Sequence, residues 1–381
     1  MSARRQRIAL VAQAWGGEGD AASLTRLVAG ALALHGDVDV LHLCEVAEVT
    51  VTRESVFIVH AIPLIGAHPV RAAIALAASE AGGHPDLPRS VVGLLERWEG
   101  SAPSVPQVLA GIAPDAVVLA GSSQPFDLEC LRAPGDVGRP RVVFLPMTGR
   151  AGVPESDRFA TLVDACDALI SIHPGEDRAL RARFAHRVAV EPLDVALPLN
   201  RSATSQGLFG VGWFGEYVLL LRRFPAEGGR YAHSVTHDVL RESLGEIAVA
   251  EVDGMKWRIS DHLNTAELPV NPTRVNLWRL MANGLMTVDL RPPDILGREA
   301  IESMMLGTPV VVPDGSAAME HAAAGNGGLW YRNLGEALDA ARALRDDSLR
   351  AAFGNQGATY AKAHHGDTGA FVSRLGGLLG L

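Results

Sequence analysis

The opening of this chain is what most constrains its fold. Residues 8–12 (IALVA) form a short apolar run and 15–20 (WGGEGD) a glycine-rich turn; 21–34 carry apolar residues at helical spacing, and 38–43 return as an apolar strand. Runs of that length suit strands, whereas the i, i+3, i+4 spacing suits an amphipathic helix. Strand, glycine turn, helix and strand in that order make the first βαβ unit of a doubly wound parallel sheet. Residues 116–120, 142–145, 168–172 and 188–190 supply further strand-length apolar runs, so the first half reads as one α/β domain.

Between residues 199 and 210 (LNRSATSQGLFG) the pattern loosens into small and polar side chains, as at a boundary. Periodicity then restarts. Residues 217–221 read as a strand, 277–283 as part of a helix, 286–290 as a strand, 298–305 as a helix and 309–312 as a buried strand. A chain of 381 residues exceeds the size at which one core usually keeps growing. The expected organisation is two Rossmann-like, doubly wound domains facing a cleft: 1–200 on the acceptor side, 201–356 for the donor, and 357–381 as a helix crossing back to the first domain.

Charge and cysteine content exclude several functions. With 34 Lys and Arg against 43 Asp and Glu, the net charge of −9 leaves no basic face for nucleic acid. Cys44, Cys130 and Cys166 lie far apart without metal or disulfide spacing, and read as reduced thiols. Arg4 and Arg5 precede an apolar run, but Gln13 cuts it short of a signal peptide, and no stretch approaches a membrane span. The expectation is a cytoplasmic protein, with room for peripheral contact with a membrane from outside.

The most informative segment is 294–314, DILGREAIESMMLGTPVVVPD: a loop, a helix, a Gly-Thr-Pro turn and a strand. Gly297 lets backbone approach a ligand, and the helix N-terminus behind it presents N–H groups and a positive dipole end suited to a diphosphate. Asp294 and Glu302 flank that turn, spaced so that one meets sugar hydroxyls and the other, on the helix, meets ribose hydroxyls.

This segment resembles the donor motif of the family 4 retaining glycosyltransferases of the GT-B fold, E-x7-E within a run like EGFGxxxxEAMAxGxPVV. The resemblance extends over most of the chain: IALVAQAWGGEGDAASLTRLVAGALALHGDVDVLHL looks like the family's first βαβ unit, VDACDALISIHPGEDRAL like its late N-terminal strand and helix, and YVLLLRRFPAEGG like the strand opening the donor domain. It implies a hexosyltransferase-like enzyme taking a UDP-, GDP- or dTDP-sugar as substrate, with no cofactor and no metal, and passing the sugar to a saccharide, lipid-linked sugar or small-molecule acceptor. Carried over by position, it makes Glu302 the ribose ligand, Asp294 the donor-sugar contact and a catalytic group, Arg223 the diphosphate partner and the second catalytic group with Arg230 nearby, Ile295, Leu296 and Gly297 the donor loop, and Gly16 and Gly17 the turn beneath the donor phosphate. An arginine suits a diphosphate because its charged guanidinium stays protonated and donates in a fixed geometry.

The chain departs from the pattern at Asp294, where the family has Glu, at Leu296 in place of Phe, at Gly228 in place of Lys, and at 146–148, where the family's histidine is missing. These departures motivate an alternative: a catalytically impaired GT-B subunit that binds nucleotide or a partner protein. A nucleotide-sugar epimerase is a third reading. Gly16, Gly17 and Gly19 form an incomplete dinucleotide fingerprint. None of the 13 histidines stands in a zinc-binding spacing, and Asp37 and Asp39 read as a turn and strand edge. Arg222 is the rival to Arg223, and Glu299 is expected to face solvent or cap its own helix.

Overall fold

The computed structural model describes residues 5–12, 15, 20–44, 50–63, 105–121, 139–148, 153–154, 157–199, 216–222, 239, 242, 244, 245–253, 256–260, 265–268, 273–291 and 295–381. Among the described residues, the first sheet holds β1 (Gln6–Ala12), β2 (Gly36–Cys44), β3 (Thr50–Glu54), β4 (Phe57–Pro63), β5 (Ala116–Ala120), β6 (Arg141–Leu145), β7 (Ala168–Ser171) and β8 (Ala189–Pro192). Their order is β3-β4-β2-β1-β5-β6-β7-β8, parallel throughout except where β3 meets β4. Helices α1 (Asp20–Leu32), α2 (Val105–Ile112), α3 (Asp157–Asp164) and α4 (Pro174–Phe184) cover its faces.

The alternation of side chains along β1 explains why this sheet needs cover on both sides. Ile8, Leu10 and Ala12 pack with Leu24 and Val28 of α1, while Ala9 and Val11 pack with Leu109 of α2 and Leu162 of α3. A parallel strand buried on both faces reads as a continuous apolar run, as residues 8–12 do. Each leucine so enclosed contributes roughly 1.5–3 kcal/mol relative to exposure.

The second sheet holds β9 (Tyr217–Arg222), β10 (Ala248–Asp253), β11 (Lys256–Ser260), β12 (Thr265–Glu267), β13 (Thr287–Asp289), β14 (Val310–Pro313) and β15 (Gly328–Tyr331), in the order β12-β11-β10-β9-β13-β14-β15. Strands β10, β9, β13, β14 and β15 run parallel, and β11 and β12 extend the sheet antiparallel. Helices α5 (Arg274–Asn283), α6 (Arg298–Met305), α7 (Ala317–Ala324) and α8 (Leu334–Ala343) pack around it. The strand order reverses at β9, whose neighbours β10 and β13 follow it on opposite sides. Such a reversal opens a crevice beyond the carboxyl ends of the strands.

The chain's end is two helices rather than one. Helix α9 (Asp347–His365) starts in the second half and stops at Gly366; α10 (Thr368–Leu379) follows, its first turn capped by Asp367, which accepts from the Ala370 N–H at 2.9 Å. Helix α9 packs on α6, whereas α10 packs on α1 and β6 of the first sheet. One apolar core therefore runs from Ile8 and Leu375 through Leu193 and Val195 to Ile301 and Val310. Among the described residues no helix is long and apolar enough to cross a membrane.

Candidate donor-binding site

Helix α6 is short and almost wholly enclosed, and its start is set by Gly297. That residue adopts the left-handed conformation, with φ 70° and ψ 36°, and gives the helix no side-chain cap. A Cβ there would lie 2.6 Å from the Ala318 backbone at the start of α7, so glycine is required twice, for conformation and for space. The first turn has no side-chain cap, and a helix N-terminus of this kind directs N–H groups and a positive dipole end outward, an arrangement that stabilises an anion. Leu296 is buried in the core and Ile295 is half-buried beside it. At the other end Gly307, at φ 87°, turns the chain into Thr308, whose hydroxyl donates to the Met281 carbonyl at 2.7 Å.

The carboxylates of α6 face inward. Glu302 is fully enclosed: Arg274 of α5 approaches it with Nη2 at 2.5 Å from Oε2, and Arg298 donates from Nε to Oε1 at 3.0 Å. The expectation that Glu299 faces solvent is overturned, since it is buried and ion-paired with both Arg274 and Arg291. It turns inward because Arg274 of α5 and Arg291, two residues past the end of β13, each bring a guanidinium to it. Arg291 also grips Asp289 at the end of β13, at 2.8 Å and 2.6 Å. Three arginines and three carboxylates thus form an electroneutral network beneath the start of α6. Burial pushes the Glu299 carboxyl up, but the two guanidiniums outweigh it and hold it well below the usual carboxylate range.

This network escaped sequence reasoning. The Arg298–Glu302 pair has the i,i+4 spacing of a helix ion pair and was open to that reading. Arg274 and Arg291 carried no local signal. Of the residues singled out from sequence, Ile295, Leu296 and Gly297 lead into α6 and Glu302 lies one turn further along it, in the connection that follows β13, the strand beside β9. Gly16, Gly17, Arg223, Gly228, Arg230 and Asp294 lie outside the described residues, as does Cys130. Asp39, expected at a strand edge, is buried within β2 and pairs with His60 Nε2 at 2.8 Å.

No family model matches the chain, and no curated protein sequence matches it. Solved structures do. An α,α-trehalose-phosphate synthase (UDP-forming) from Burkholderia vietnamiensis superposes with a TM-score of 0.62 at 13% identity, covering 99% of each chain. The sucrose-phosphate synthase of Thermosynechococcus elongatus gives 0.57 at 14% over 98% of each. HepE of Anabaena, solved with UDP and glucose, gives 0.57 at 13% over 98% of this chain and 99% of its own. The chain therefore has the GT-B fold, two sheet-based halves over their full length.

Proposed function

We propose that this protein is a metal-independent glycosyltransferase of the retaining, family 4 kind, moving a sugar from a UDP-, GDP- or dTDP-sugar to a saccharide, lipid-linked or small-molecule acceptor. The observation that carries the reading is the glycine-started N-terminus of α6, without a side-chain cap, in the connection between β13 and β14 of a full-length GT-B fold. In this reading the donor's diphosphate sits over that helix end, with Arg223 and Arg230 neutralising the charge that develops as the nucleoside diphosphate leaves. Asp294 meets the donor sugar, and Gly16 and Gly17 line the first domain's side of the cleft. The domains, divided near residue 200 and linked again through α9 and α10, close over the donor and exclude water.

Glu302 reaches a ribose hydroxyl only if both Arg298 and Arg274, which share its Oε1 at 3.0 Å and 3.1 Å, release that oxygen when the donor enters. Until then its carboxylate is held by two arginines. That enclosure is also the observation favouring the second reading, a GT-B subunit that binds nucleotide or a partner without transferring sugar. Calorimetric titration with UDP, GDP and dTDP, followed by incubation of the matching nucleotide-glucose with candidate acceptors and NMR of the anomeric proton, separates the readings. Transfer with retention is expected. Nucleotide binding without transfer to any acceptor supports the impaired subunit, and absence of all nucleotide binding removes both.

A further inference from the structure

Helix α7 touches three parts of the molecule at once: α6 with its glycine start, α4 of the first sheet, and α9 of the crossing segment. At their meeting point stands His321, 1% exposed, with Nδ1 at 3.0 Å from the Tyr360 hydroxyl of α9. Its ring lies 5.0 Å from that of His365 on α9 and 6.5 Å from that of His173, which caps α4. His365 in turn joins α9 to the segment after β8, its Nδ1 at 2.9 Å from the Val195 carbonyl, while the Leu197 N–H donates to the His365 carbonyl at 2.9 Å. The junction borders a pocket of about 370 Å³ lined by His173, His321, Tyr360 and His364.

The protonation states follow from the partners. His173 Nδ1 accepts from the Glu176 N–H at 3.2 Å and His365 Nδ1 faces a carbonyl, so each neutral ring uses one nitrogen and leaves Nε2 buried without a partner. His321 Nε2 is likewise buried, with the Leu296 backbone near the ring but no well-formed hydrogen bond to it. Titratable and charged groups around the cluster are Glu176, Asp177 and Arg178 on α4, Glu320 on α7, Asp194 after β8 and His364 on α9. Arg178 neutralises Glu320 at 2.7 Å, and Asp194 faces His364 at 3.0 Å on the exposed rim. Burial, reinforced by the three neighbouring imidazoles, holds His321 well below its ordinary range, against a weaker opposing pull from the Leu296 backbone. Burial also lowers His173 and His365, despite the carboxylates of Glu176 and Glu320 near the first and the Val195 carbonyl and Asp194 near the second.

We propose that His321, uncharged, is a positioning residue that locks the 295–297 loop to the crossing helix and the first sheet, and that proton uptake at this junction opens the lock. The proposal rests on the donor-loop reading above for its link to nucleotide binding. The sign is fixed by the chemistry: the packed junction binds fewer protons than the opened one, so it is at full strength above pH 6.5, the ordinary histidine value, and weakens as pH falls below it. Each such histidine weakens it by up to tenfold per pH unit.

The test titrates the full-length chain with UDP, GDP and dTDP between pH 7.5 and 5.5 and takes the tightest. Far-UV circular dichroism and small-angle scattering are followed in parallel. Affinity is expected to fall at least tenfold across that range, with unchanged secondary structure and a larger radius of gyration. His321→Gln, which cannot be protonated, should lose up to one unit of slope in log Kd against pH, whereas His186→Ala, at an exposed turn, should leave the profile alone. If His321→Gln does not fold, Tyr360→Phe replaces it: loss of the hydroxyl partner should move the acid limb. The His321 ring, followed by NMR of histidine-labelled protein, should titrate below 6.5. A flat wild-type profile, an unshifted variant or a His321 titration at 6.5 or above overturns the proposal. If no nucleotide binds at any pH, acid expansion with intact secondary structure still supports the lock, and only the functional reading fails.

Discussion

At the scale of single residues, Glu302 shows how a motif position acquires a second duty. Its carboxylate neutralises Arg274 and Arg298 inside the protein, so Glu302→Gln leaves two guanidiniums short of a counter-charge. We expect a loss of about 3 kcal/mol, within the range for breaking buried ion pairs, read from urea unfolding. The double variant Arg274→Met, Glu302→Leu should lose less than the sum of its single changes, because no buried charge from that pair is stranded. Glu299 gives a pH signature. Its folded value lies below the free value of 4.5, so its stabilisation is present above that pH and is lost as pH falls below it. Urea midpoints measured from pH 6 to 3 should decline below about 4.5, and Glu299→Gln should flatten that decline at the cost of a lower plateau.

Among the elements, α6 depends on how glycine opens it. Gly297→Ala and Gly307→Ala both force an L side chain into left-handed backbone, but a Cβ at 297 strikes the Ala318 backbone whereas at 307 it meets nothing within 4 Å. Gly307→Ala should cost about 1–2 kcal/mol from conformation alone. Gly297→Ala should cost about 1–3 kcal/mol more, from overpacking against backbone that cannot move aside. Thermal unfolding of the two variants checks the difference. The helix over 298–305 and the strand following it were legible because apolar spacing and the Gly-Thr-Pro turn are local. The β3–β4 hairpin was not: its turn places Ser55 at φ 54° with no glycine or asparagine to announce it, and β3 is wholly exposed. Strands β11 and β12 were missed for a related reason, since Lys256, Arg258 and Glu267 break up any apolar run.

For the whole molecule, the shared core and the crossing of α9 into α10 tie the two sheets while leaving the cleft beyond their strand ends. If sugar transfer occurs as proposed, it should persist in excess EDTA, because guanidinium groups and a helix end take the place of a cation on the leaving diphosphate. Initial rates with and without chelator check this, and complete loss restored by magnesium would overturn the charge scheme. Saturating nucleoside diphosphate should reduce the radius of gyration seen by small-angle scattering, as expected of hinge closure. An unchanged envelope would count against closure but leave the fold standing.

By itself the sequence determined the alternation of strand and helix, the two halves and the glycine start of α6, because each is written in the spacing of neighbouring residues. Tertiary structure alone decided which charges are buried and with whom. Arg274 meets Glu302 across 28 residues, and His173, His321 and His365 come together from three helices that no periodicity relates. The reason is physical: periodicity fixes which face of an element is apolar, but the partner of a buried polar group is set by how elements stack. That stacking is chosen by the packing of the whole core rather than by any local run of sequence.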